Sequence, residues 1–144
     1  MDNNHRIIDE LCARGQLEKY RETVEQIIII ANQYGFGVCT RYDSLKSNIE
    51  WGKTKIIRIA INEETKGLGL IWDLLHEIGH LIDGEPKKED FCKQEIIARE
   101  EKAWENAWGM VQSKLIELIS EYNHFEKHKR ECLLTYHKMS NCIK

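Results

Sequence analysis

The sequence predicts an α+β fold: N-terminal helices, a small sheet, then a motif-bearing helix followed by a long one. Three observations carry this. Residues 16–34, "QLEKYRETVEQIIIIANQY", place Leu17, Tyr20, Val24, Ile27, Ile28 and Ala31 at helical intervals. Residues 53–61, "KTKIIRIAI", alternate instead, with Ile57, Ile59 and Ile61 on one face and Ile56, Arg58 and Ala60 on the other. The helical period then returns after "NEETKGLGL" and dominates the second half of the chain.

Taken in order, a short helix around Ile7–Ala13 breaks at Gly15, and Gly35 stops the helix of residues 16–34. "GFGVCTRY" (35–42) reads as a strand, and "DSLKSNIEWG" as a turn or a short extra strand around Ile49–Trp51. Gly84 and Pro86, the only proline, end the motif helix. The charged linker "EPKKEDF" leads into a long helix, roughly Lys93 to Tyr122. The tail, about 123–144, is polar, slightly basic and expected to be partly helical. With 144 residues and no repeats, the expectation is a single domain over 1–144.

Composition narrows the function classes. A hydrophobic fraction of 42% against 31% charged residues is that of an ordinary soluble globular chain, not a disordered one. A net charge of -3 gives no general basic surface, so direct nucleic-acid binding is not expected. The longest apolar run, "IIIIA" at 27–31, is too short to span a bilayer, and "MDNNHRIIDELCARG" lacks the design of a secretion signal. The expectation is a cytoplasmic protein with no membrane partner. Cys12, Cys39, Cys92, Cys132 and Cys142 are odd in number and show no C-x-x-C pair, which suits free thiols in a reducing compartment.

The segment with chemistry is "IWDLLHEIGHLIDGEP" (71–86), which contains H-E-x-x-H. On a helix, residues four apart share a side, so His76 and His80 can offer imidazole nitrogens to one metal ion. Glu77 points about 100° away from His76, which suits a base acting on water beside the metal and not a ligand. Gly79 is unfavourable inside a helix by about 1 kcal/mol relative to alanine, and is tolerable where another backbone passes closely. Without a metal, two histidines on so apolar a helix would be core residues bonded to backbone.

A catalytic zinc needs a third ligand. The metzincin continuation fails, because Asp83 and Pro86 stand where its glycine and third histidine belong. The next helix is the obvious supplier. Its apolar stripe, defined by Ile97, Trp104, Trp108, Val111, Leu115 and Tyr122, has Glu100 about 50° to one side and Glu101 about 50° to the other. Periodicity leaves the two tied. Asp73 and Asp83 could each orient an imidazole from behind. Further on, His124, His128 and Cys132 recur every four residues, a spacing compatible with a second metal site and more often just a polar helix face. Tyr122, His124 and His128 are the candidates for stabilising an oxyanion.

"HEIGHLID" followed by "EEKAWENA" (100–107) resembles the ImmA/IrrE family of zinc metallopeptidases, in which a glutamate stands in the next helix within E-x-x-A-[N/W]-x-x-A. Laid on that pattern, Glu100 is the glutamate, Ala103 and Ala107 are the small residues, and Trp104 fills the place often held by asparagine. The resemblance covers roughly residues 16–120. "WGMVQSKL" replaces the family's usual continuation, and no separate helix-turn-helix domain is visible. The resemblance implies a zincin-like domain holding Zn2+ through His76, His80 and Glu100, with Glu77 as catalytic base. It implies an endopeptidase for a specific regulatory protein, such as a transcriptional repressor. The strand at 55–61, which precedes the motif helix, is expected to pair with the extended substrate. Two alternatives stand beside it: a catalytically silent zincin-fold binding or regulatory module, and an SprT-like protease, which would want a third histidine and a basic surface.

Overall fold

The structure, a computed structural model, describes residues 2–42, 46–62, 65–86 and 93–137. Over these residues the chain is α+β, with five α-helices packed about a small mixed sheet. The helices are α1 (Asp2–Arg14), α2 (Arg21–Gln33), α3 (Leu68–Asp83), α4 (Lys93–Lys114) and α5 (Tyr122–His137). The strands are β1 (Gly37–Arg41), β2 (Asn48–Glu50) and β3 (Ile56–Ala60).

Alternation in β3 decides which side of the sheet is covered. Ile57 and Ile59 are completely buried, whereas Arg58 on the other face is half-buried and pairs with Glu50 of β2. The strand order is β1-β3-β2, with β1 parallel and β2 antiparallel to β3. This corrects the expectation for the strand before the motif. β3 is central: β1 pairs with one edge over its whole length and β2 with Ile56–Arg58 of the other, so β3 is not the edge strand expected to receive an added peptide. Among the described residues, the outermost strand on that side of the sheet is β2.

The helices follow their apolar stripes. α2 ends at Gly35, whose φ of 86° is the left-handed conformation a helix stop requires. The amide of Phe36 then bonds back to the Ala31 carbonyl at 3.1 Å, and Phe36 is buried. α1 is longer than its sequence pattern suggests, and α2 is preceded by a 3-10 turn at Glu18–Tyr20. α3 is buried nearly all round, as befits a helix that crosses the middle of a molecule.

The long helix expected over 93–122 is two helices. α4 stops at Lys114; Leu115 leaves helical geometry (φ -128°, ψ 54°) and a 3-10 turn, Ile116–Glu121, leads into α5. The bend has an apolar cause: it brings Leu115, Leu118 and Phe125 into the core together. Tyr122, expected in the buried stripe, is instead 43% exposed. The tail as far as His137 is thus a helix laid across α3 and α4. Among the described residues no helix is long and apolar enough to cross a membrane. Cys12, Cys39 and Cys132 are free thiols, while Cys92 and Cys142 lie outside the described residues.

Candidate metal centre

The site begins with a close helix crossing. A Cβ built on Gly79 would lie 2.2 Å from the Ala103 carbonyl oxygen, so α3 and α4 touch backbone to backbone here. Ala103 and Ala107 are completely buried for the same reason. Polar bonds pin the crossing on both flanks. The Asn106 amide donates to the Gly79 carbonyl at 3.0 Å. The Arg99 guanidinium donates to Asp83 and to the Gly84 carbonyl at the end of α3.

Glu100 stands one turn before Ala103 on this contact face, which places its carboxylate against the H-E-x-x-H face of α3. Its Oε1 lies 2.7 Å from His76 Nε2 and its Oε2 3.1 Å from His80 Nε2. The three side chains bring coordinating atoms within 4.8 Å of one another, and Glu100 and His80 are buried. Glu101 is exposed and takes no part. The His76 ring is stacked on Trp104, with centroids 4.3 Å apart and planes 16° from parallel, which fixes its orientation.

Electrostatics in this cluster are dominated by the acid between two bases. Burial alone would lower the pKa of His76 and raise that of Glu100. Their mutual hydrogen bond, with Glu77 and His80 adding to it, reverses both effects, so His76 is held above the usual imidazole range and Glu100 below the usual carboxylate range. The donor types, two imidazoles and a carboxylate, are those of a site for a divalent cation, which would bind His76 as the neutral imidazole and displace its proton. Two imidazole nitrogens and a carboxylate come together, and the remaining His80 nitrogen, Nδ1, is buried with no partner among the described residues. His80 makes its polar contact only on the side that a cation would use.

Glu77 is 8% exposed and lies beside His76, its Oε2 3.6 Å from Nδ1. It lines an open cleft of about 370 Å³ together with His76, Glu100 and Tyr136. Lys46 and Ser47, which lead into β2, stand at the same cleft. Tyr136 had no signal in the sequence, because α5 was not foreseen as folding back over α3. It lines the cleft with Glu100, and burial, together with the nearby Glu100 and Glu77 charges, raises its pKa.

Neither aspartate next to the motif orients a metal-facing imidazole. Asp83 binds Arg99, and Asp73 binds His128 Nε2 at 2.7 Å. The row of three on α5 also divides. His124 Nδ1 accepts from the Trp72 indole at 3.0 Å, whereas His128 and Cys132 turn into the cleft and meet Asp73 there. Burial would lower His128, but donation of its Nε2–H to the Asp73 carboxylate, with the Cys132 thiol and the Asp73 charge nearby, carries it up to about 10. Of the oxyanion candidates, Tyr122 bonds Glu126 and His124 bonds Trp72, so only His128 lines the cleft.

No family model, curated protein or solved structure matches this chain.

Proposed function

We propose that the chain is a zinc-dependent endopeptidase of ImmA/IrrE type with a zincin-like fold, acting in the cytoplasm on a specific protein substrate such as a transcriptional repressor. His76, His80 and Glu100 are its zinc ligands and Glu77 its general base. One observation carries this reading: an N,N,O donor set comes together within 4.8 Å, and two of its members, His76 and Glu100, line one open cleft with a fourth group, the Glu77 carboxylate.

A zinc ion held by this set supplies a Lewis acid that polarises a carbonyl and acidifies water. The chain supplies the rest. Glu77 takes a proton from the attacking water and delivers it to the leaving amine. Trp104 holds the His76 ring in one plane, and Tyr136 stands beside Glu100 in the cleft wall. An extended substrate segment pairs along the outer edge of β2, whose leading residues, Lys46 and Ser47, line the cleft.

The silent-module reading gives zinc the task of holding α3 to α4. The Gly79–Ala103 contact and the Arg99 and Asn106 bonds already do that, and Glu77 would have no role. An acidic third donor speaks against the SprT-like alternative. The test is zinc content and hydrolysis of a quenched random-peptide library. Glu77→Gln should keep wild-type zinc and lose about 100- to 10,000-fold in cleavage rate, the usual contribution of a general base. A wild-type protein that binds no zinc, or a Glu77→Gln protein that cleaves as well as wild type, overturns the proposal.

A further inference from the structure

The second cluster in the cleft is unused by the chemistry above. Asp73 on α3 and His128 and Cys132 on α5 bring a carboxylate oxygen, an imidazole nitrogen and a thiol sulfur within 4.8 Å of one another. All three are half-buried and open to the cleft. We propose that they form a second metal site, selective for a borderline divalent cation such as zinc.

Three features support the assignment. His128 and Cys132 are four residues apart on one helix, so both project from the same side, as His76 and His80 do on α3. Asp73 comes from the facing helix, so the set bridges two elements and its spacing is fixed by packing. That packing is close: a Cβ on Gly69 would lie 3.2 Å from the His128 ring, so the glycine gives the imidazole its room. The donor types choose the ion. Magnesium and calcium take oxygen ligands, whereas a thiolate with an imidazole and a carboxylate suits zinc or cobalt. Cys132 would bind as thiolate, releasing its proton to solvent, and the two negative donors would balance the charge of the cation. A cation here would clip α5 onto α3 beside Glu77.

The competing account is that a protonated His128 bonds Asp73 and Cys132, and that the trio joins two helices with no metal. Cobalt(II) separates the two, because a cobalt–thiolate bond gives an intense near-ultraviolet charge-transfer band and the proposed catalytic set contains no sulfur. Metal-stripped full-length protein titrated with cobalt(II) should show this band. Cys132→Ser should abolish it and Asp73→Asn should weaken it, with far-ultraviolet circular dichroism reporting that each variant folds. Cys12→Ser, which alters a buried thiol outside the cluster, should retain it. Glu100→Gln should also retain it, so failure of the catalytic reading does not erase this one. Absence of the band in wild type, or its survival in Cys132→Ser, overturns the proposal; the first outcome needs no variant to fold.

Discussion

The two clusters in the cleft are built alike and differ in what surrounds them. Each takes two donors four residues apart on one helix and a carboxylate from a facing helix, and each contains a histidine–carboxylate contact of 2.7 Å. The His76–His80–Glu100 set is held by two helix backbones in direct contact, with Trp104 stacked on one of its rings. The Asp73–His128–Cys132 set depends on α5, which is seated through side chains, chiefly Phe125 against Trp72 and Trp104. Backbone contact fixes positions more tightly than side-chain packing does. The first set is therefore suited to chemistry that tolerates little displacement, and the second to a cation that clips α5 onto α3. Each set has a further carboxylate beside it in sequence, Glu77 next to His76 and Glu131 next to Cys132, but Glu77 is buried whereas Glu131 is exposed.

The comparison can be broken or sharpened by substitution. The largest effect is expected from Glu100→Gln. It removes a proposed ligand and should lower zinc affinity well beyond the 10–100-fold typical of losing an outer partner, a loss read by competition with a chelating dye. Gly79→Ala comes next. Its methyl group meets the Ala103 carbonyl and must force the helices apart. Overpacking of this kind costs about 1–3 kcal/mol of stability, measured by urea unfolding of metal-free protein. The same variant should weaken zinc binding while sparing the cobalt–thiolate band; equal weakening of both would show that the clusters are not independent. Tyr136→Phe deletes only a hydroxyl of the cleft wall beside Glu100, and should reduce zinc affinity by no more than about 10-fold, the low end for loss of a partner outside the ligands. The smallest effect is that of Glu101→Gln. An exposed carboxylate away from both clusters should change stability by less than about 0.5 kcal/mol and leave zinc content as in wild type.

Much of the fold was legible in the sequence, because periodicity reports directly on burial. The alternation in β3 and the apolar stripe of α2 both appear where the pattern puts them. Boundaries were less legible. Nothing local marks the break after Lys114, since "SKLIELISEY" has no glycine or proline. The turn there is imposed by burial of Leu115 and Leu118. The expected role of the strand at 55–61 failed on topology: a strand's sequence does not say whether its neighbours lie on one side or both.

The pairing of His76 with His80, and the separate direction of Glu77, were determined by the sequence alone, because the geometry of a helix fixes them before any packing. The choice between Glu100 and Glu101 was not. A stripe drawn through the large residues Trp104 and Trp108 leaves the two equivalent, whereas the face that meets α3 is drawn through Ala103 and Ala107. Small residues carry little weight in a count of apolar area, yet they mark where two backbones can touch. Only the packed structure shows that contact, and with it the carboxylate that faces the two imidazoles. The cleft's far wall, with His128, Cys132 and Tyr136, was likewise decided by tertiary structure, because it exists only once α5 has folded back over α3.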